Sequence, residues 1–573
     1  MKKPIAFLFS IFLLFQLNSQ SNQLIKDISI RNIGPAGMSG RFTSIDVDSR
    51  GSIYAGAASG GVWKSEDGGL KWQPIFDSMP IQSIGAIKIS PSNDDILWAG
   101  TGEGNPRNSH NSGAGIFKSL NGGKDWVFKG LEETKNIHRI IIDPRDENKI
   151  TVGVLGSAWG DSEHRGVYQT SDGGETWNKI LFAGKGTGCA ELVVDPNNPN
   201  KMMASMWEFR RKPYTFNSGG VSSGIFMTID GGKTWNKIEK GLPSGILGRA
   251  GLAISRSNPK VVYAMVESKT YDLFKSKDGG YTFTKMSSQT AMGNRPFYYA
   301  EIYVNPTNEN HVYSLWSQIS HSIDGGKNWK ILASWSHIHP DHHALWINPE
   351  NPKHMINGND GGINITYDGG NHWRMSDNLP VGQFYHIAVD EEMPYHVYGG
   401  LQDNGSWKGP GFSFTQDGIK TSEWQEVLFG DGFDVQPLNG TQGYAMSQGG
   451  NIYYYDLDQG KKFIQPAKFG KTTLRFNWNA AIAIDEQKLF MGSQFVHLSE
   501  DKGQSWKIIS PDLTSNDPDK LQQAESGGLT IDATNAENYC TITSLAGGKE
   551  LLWAGTDDGN VWVRNEKEAW SKV

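Results

Sequence analysis

Short apolar runs alternate with polar turns along nearly the whole chain, and their length predicts strands rather than helices. RFTSIDVD (residues 41–48), HRIIID (138–143), AELVVD (190–195) and HALWIN (343–348) read as short inner strands. Turns follow at Asp143-Pro144, Asp195-Pro196, Asn305-Pro306 and Asn348-Pro349, where the fixed φ of proline favours reversal. A second run rich in Gly and Ala comes next, as in SIYAGAA (52–58) and ILWAGTG (96–102). A third strand then enters a recurrent phrase, and a fourth begins at the aromatic that closes it.

The phrase is Ser/Thr-x-Asp-x-Gly-x-x-Trp, and it occurs eight times: SEDGGLKW, SLNGGKDW, TSDGGETW, TIDGGKTW, SKDGGYTF, SIDGGKNW, TYDGGNHW and SEDKGQSW. Its aspartates are Asp67, Asp172, Asp230, Asp278, Asp324, Asp368 and Asp501, with Asn121 in the second copy. The expected role is mechanical: the Asp accepts backbone hydrogen bonds in a tight turn, the glycines supply φ values other residues resist, and the aromatic packs beneath.

Repetition at roughly 45 to 60 residues is the mark of a β-propeller of four-stranded blades. Weaker units at 396–425, DLDQGKKF (456–463) and LLWAGTDDGNVWVRNEKEAW (551–570) bring the count to about eleven. The expectation is an all-β chain with a first propeller of seven blades over residues 20–379 and four blades of an incomplete second one over 380–573, the alternative being one large ring of ten or eleven.

Lys2 and Lys3, the apolar run 5–17 and Ser19 read as an export signal over residues 1–19. That run is too short for a comfortable membrane span, and no later stretch approaches one. The mature chain is therefore expected to be exported: periplasmic, cell-surface or extracellular. The net charge of −7 disfavours nucleic acid as a partner. Cys189 and Cys540 are the only cysteines, which excludes a disulfide framework and suggests two buried thiols. No cofactor motif stands out, and the abundant glycines belong to turns.

In a propeller, the loops after second strands and before inner strands open on one face around the channel. On that face fall Glu103, Asn105 and Arg107, Glu163 and Arg165, Glu208, Arg210 and Arg211, Asn359 and Asp360, and Gln402, Asp403 and Asn404. The string 337–343 and Asp431 and Asp434 join them. Glu103, Arg107, Glu163, Arg165, Glu208, Arg210, Arg211, Asn359 and Gln402 are candidates for ligand binding. His339, Asp341 and His342 are of metal-ligand type and could fold around Zn²⁺, although their spacing fits no helical or finger frame.

Beyond the repeats, RNIGPAGMSGR (31–41), TGEGNPR (101–107), MWEFRRKP (206–213), HPDHHALWINP (339–349), GNDGGI (358–363), GLQDNGSW (400–407) and GTDDGNVWV (555–563) resemble exported Asp-box (BNR) repeat proteins of the sortilin/Vps10-like group, related to tandem-propeller xyloglucanases. The resemblance implies a propeller that binds a peptide, protein or glycan on its loop face. The alternative it carries is a glycosyl hydrolase working on a polysaccharide between two rings, with Asp360 and either Asp403 or Asp431 as the paired carboxylates. The segment 55–61 resembles the first-blade stretch where xyloglucanase-type enzymes carry an aspartate, and here Ala58 occupies that place.

Overall fold

Eleven sheets follow one another along the chain among the described residues, ten of them antiparallel runs of four strands paired in sequence order and the fourth with two further strands, one of which pairs in parallel, and they are the eleven blades expected from the repeats. The computed structural model describes residues 30–573 apart from 36, 38, 107, 108, 468, 469, 548, 549 and 566–568. The chain divides into residues 1–34 and a unit from Pro35 to Val573, which holds all the blades. The expected export signal and Arg107 lie outside the described residues.

Blade 1 shows the common plan. Its strands are Phe42–Val47, Ile53–Ala57, Val62–Ser65 and Gln73–Pro74, with Phe42 opposite Ala57 and Val47 opposite Ile53. The repeated phrase closes the turn between the third and fourth strands. Gly69 N donates to Ser65 Oγ (2.8 Å), while Leu70 N and Lys71 N donate to Asp67 Oδ1 (3.0 and 2.8 Å). Gly68 and Gly69 have φ of 71° and 81°, which explains the glycine pair. Asp172, Asp230, Asp278, Asp324, Asp368 and Asp501 each accept the backbone N–H four residues on. The closing tryptophan reaches further than a single hairpin: Trp126, Trp177 and Trp506 donate their indole N–H to Ile75, Lys129 and Ile464 carbonyls of the preceding blade, all at 2.7 Å.

Apolar clusters fill the space between consecutive blades. Tyr54, Phe76, Ile87, Leu97, Phe117 and Trp126 join blades 1 and 2. Phe42, Ile53 and Ala55 of blade 1 pack on Ile356, Ile363 and Ile365 of blade 7, and Ser39 N and Gly40 N donate to the Gly361 and Val381 carbonyls (3.1 and 2.6 Å). The first ring therefore closes at seven blades, not as one large ring. Close approach of inner strands makes some glycines obligatory: a Cβ on Gly251 would lie 1.8 Å from the Ala300 carbonyl oxygen.

Blades 8 to 11 continue the stack through a cluster containing Phe433, Met446, Ile482 and Met491 and another containing Phe490, Val496, Ile542 and Leu552. The first strand of blade 8, Phe384–Val389, exposes Ile387 (73%) and Val389 (60%), whereas its counterpart in blade 1 is buried against blade 7.

A long connection, residues 509–541, crosses from blade 10 to the first ring. Gly527–Gly528 pairs in parallel with the end of Thr215–Ser218, a strand that extends blade 4. Arg211 meets Glu537 at 2.9 Å and Arg295 meets Asp532 at 2.8 Å. Beneath this strap the Ser218 hydroxyl donates to Glu267, whose carboxyl is buried and pushed up to about 7.

Candidate functional site between the rings

Six blades begin with an inner strand that carries a bulge after its first residue. A bulge inserts one unpaired residue and re-aims its side chain. In blade 7 the inserted residue is His343 and in blade 8 it is Tyr385. His343 is buried between Asn105 and Asp360, and Tyr385 lines the site.

At the mouth of the first ring lies a buried polar chain with a fixed direction. Arg249 Nη2 donates to Asn105 Oδ1 (2.8 Å), Asn105 Nδ2 donates to His343 Nδ1 (2.6 Å), and the remaining His343 N–H donates from Nε2 to Asp360 Oδ1 (2.7 Å). Arg41 adds Nε to Oδ1 (2.7 Å) and Nη2 to Oδ2 (2.9 Å), and the Tyr298 hydroxyl donates to Oδ2 (2.9 Å). Four donors thus occupy the four lone-pair directions of Asp360. Burial would push its carboxyl up, but the Arg41 guanidinium and His343 hold it well below the usual carboxylate range. Arg41 also pairs with Glu103 (2.6 Å) and reaches Asp403 (3.3 Å), so one side chain links blades 1, 2, 7 and 8.

Asp403 behaves in the opposite way. It sits at the tip of the blade 8 turn with φ of 62°, and its amide donates to Asp431 Oδ1 at 2.6 Å. Burial, then the nearby carboxylates of Asp431 and Asp360, push its carboxyl well above the ordinary value, and Arg41 offsets this only in part. Two aspartates at one site therefore have environments that drive them apart, the pattern expected when one carboxyl must carry a proton at neutral pH.

Three spaces with shared lining residues lie at the site, and Asp403 lines two of them. A cleft of about 530 Å³ is lined by Trp335, His337, Trp373, Phe429 and the carboxylates Asp341, Asp403 and Asp431. Those three aspartates also line a constriction of about 40 Å³ with Arg41, Arg295, Tyr298 and Tyr385. Beyond it, Tyr385 and Trp478 open onto a second cleft of about 240 Å³ that includes Trp159 and Tyr539. Every wall combines residues of both rings. Trp335 and Phe429, which line the cleft, are each 77% exposed and present large apolar faces.

The sequence-derived candidates distribute unevenly. Asp403, Asp431 and Gln402 come together at the constriction, where the Ser109 hydroxyl donates to Gln402. Asp360 and Glu103 are close by but fully buried and paired with Arg41, so the structure places Asp360 in the buried network and not on the lining of the clefts. Asn359 is buried against Asn357 and Asn364. Arg165 is buried and donates to the carbonyls of Ser157, Gly160 and Gly186, a loop-fixing role; burial lowers its pKa to about 10. Arg211 is spent on Glu537 of the strap. Glu163 is exposed beside Lys185, and Glu208 and Arg210 line a separate side pocket with Asp161.

His339, Asp341 and His342 do not converge into a metal site. His342 is buried and bonded to Asn357, with burial lowering its pKa to about 3, and His339 Nδ1 faces the Pro340 carbonyl. Asp341 instead groups with Asp360 and Asp403, their oxygens within 4.8 Å of one another. Arg41 closes the string RNIGPAGMSGR, but nothing in that string marks its role, and Tyr298, Arg295 and the aromatic walls belong to no pattern singled out in the sequence; ring closure and the approach of blade 8 bring them together.

The fold and the cleft define a propeller protein with a carboxylate-floored groove between two rings. The chain is 24% identical over 324 residues to the xyloglucanase Xgh74A of Acetivibrio thermocellus, covering 49% of this chain and 37% of that protein. It is 24% identical over 238 residues to a xyloglucanase of Paenibacillus sp, covering 37% and 22%. The alignments thus span well under half the length of these curated relatives. Among solved structures, the GH74 enzyme of Niastella koreensis superposes with a TM-score of 0.56 at 16% identity, covering 95% of this chain and 87% of that one. An ancestral GH74 enzyme gives 0.58 at 16% identity, covering 95% and 78%. No family model matches the sequence.

Proposed function

We propose that this protein is an exported glycoside hydrolase that cleaves a polysaccharide lying in the groove between the rings, with Asp403 as the proton donor. The observation that carries the reading is the protonation-favouring environment of Asp403 on the floor of an aromatic-walled cleft. Aromatic faces such as Trp335 and Phe429 suit the apolar faces of sugar rings, and the named relatives are xyloglucanases. This reading replaces sortilin-like binding as the main expectation. The test is reducing-end release by purified protein across xyloglucan, β-glucans and mannans, with Asp403→Asn alongside. Release by the native protein and none by the variant supports it; the absence of release from every substrate refutes it.

A second reading, binding of a glycan without cleavage, is favoured by Ala58, which is buried and offers no carboxylate at the first-blade position. Under it, native protein and Asp403→Asn retain a polysaccharide equally.

A further inference from the structure

We propose that the strap, residues 509–541, is a pH-gated wall of the second cleft, docked on the first ring in acid and loosened toward neutral pH, with Glu267 as its trigger. The strap lies close to the ring and is held at few points. Asn217 and Ser218 pair in parallel with Gly527 and Gly528, and a Cβ on Gly528 would lie 2.4 Å from the Ser218 amide nitrogen. Leu529 N donates to the Ser218 carbonyl (3.3 Å) and Phe216 N donates to Ser526 Oγ (3.1 Å). Glu537 and Asp532 add the pairs with Arg211 and Arg295. No apolar side chain between residues 514 and 538 is buried. A segment held by polar contacts alone can open without unfolding the blades beneath it.

The strap also belongs to the groove. Its residues Ala536, Asn538 and Tyr539 line the second cleft together with Arg211, and Arg295, held by Asp532, lines the constriction. Release therefore removes one wall of the cleft and frees an arginine of the constriction.

Glu267 ends the second strand of blade 5, Val262–Glu267, and has no exposed surface. The Ser218 hydroxyl and the Arg249 amide (3.1 Å) donate to Oε2. Oε1 is buried without a hydrogen-bond partner among the described residues. Thr530 of the strap faces the carboxyl, and Tyr271 is its cross-strand neighbour. The Arg249 guanidinium gives no direct pair, because it is bound to Glu301 (3.1 Å), Asn105 (2.8 Å) and the carbonyls of Phe297 and Tyr298. An anion in this setting is desolvated and unpaired, and burial raises the carboxyl from 4.5 to about 7. Once the strap lifts, water solvates the anion and the ordinary value returns. The docked state holds the proton longer, so docking is at full strength below about pH 4.5, weakens as pH rises from there, and levels off above about 7. Between pH 5 and pH 8 the docked-to-released ratio changes by roughly 70-fold.

The experiment is hydrogen–deuterium exchange by mass spectrometry on the whole native protein at pH 5, 6, 7 and 8, each rate corrected for the pH dependence of intrinsic exchange. Protection of peptides covering residues 524–532 is expected to fall roughly 70-fold from pH 5 to pH 8, while the inner strands of blades 1 and 5 keep theirs. Glu267→Gln, which cannot ionise, is expected to keep the strap protected at every pH. Ser218→Ala, which removes a donor to the carboxylate, is expected to deepen the fall. A flat native profile overturns the inference, and so does an equal fall in Glu267→Gln or a loss of protection shared by all blades. Should Glu267→Gln not fold, an unchanged fall in Ser218→Ala overturns it instead.

Discussion

Replacing Arg41 by Met tests the buried network where it bears most weight. The guanidinium is 3% exposed and its partners Glu103 and Asp360 are 0% and 1% exposed, so removal leaves two carboxylates in the interior without their counter-charge. Breaking a buried pair from one side costs about 3–5 kcal/mol. The ring runs from Phe42 to Met375, roughly 330 residues, which at ~2.1 cal/mol/K per residue gives an unfolding entropy of about 0.7 kcal/mol/K. The expected fall in Tm is therefore about 4–7 °C by near-ultraviolet circular dichroism. Arg41→Lys keeps the charge but not the fork, and falls between. A second readout concerns Asp403, whose carboxyl Arg41 pulls down; without it the alkaline limb of the pH–activity profile moves to higher pH, since the acid form persists longer. A Tm loss below about 2 °C together with an unchanged profile would falsify the assignment of Arg41 as the anchor.

Asp403→Asn is expected to lower kcat by about 10²–10⁴-fold while raising stability: the native carboxyl holds its proton above the unfolded value, so stability falls as pH rises through that interval, and the amide removes the fall. The gain in Tm should grow from pH 4 upward, and a destabilised variant would contradict it. Glu267, raised from 4.5 to about 7, should cost about 3 kcal/mol of stability between pH 4 and pH 8. Glu267→Gln should flatten that slope in pH-resolved denaturant melts; parallel slopes would sink the argument. Trp335→Ala and Phe429→Ala, both at exposed positions, should raise KM for polysaccharide several-fold with Tm unchanged, and an unaltered KM would remove the stacking role.

The repeated phrase and the alternating apolar runs were enough to specify blades, their number and the turns that close them. Each is a local device: Asp67 and Gly69 complete their hydrogen bonds within six residues, and their meaning is readable without a partner. Loop aspartates such as Asp403 and Asp431 were also legible, because strand order fixes which loops share a face. What each carboxyl does was not legible. Asp360 and Asp403 look alike in sequence, yet four donors hold one ionised while burial beside like charges drives the other toward its acid form. That difference arises from Arg41, some 320 and 360 positions away from them along the chain, and from bulges that set His343 against Asp360 and Tyr385 at the constriction. Solvation and charge depend on what the tertiary fold brings near, so only ring closure and the docking of blade 8 decide which aspartate can hold a proton.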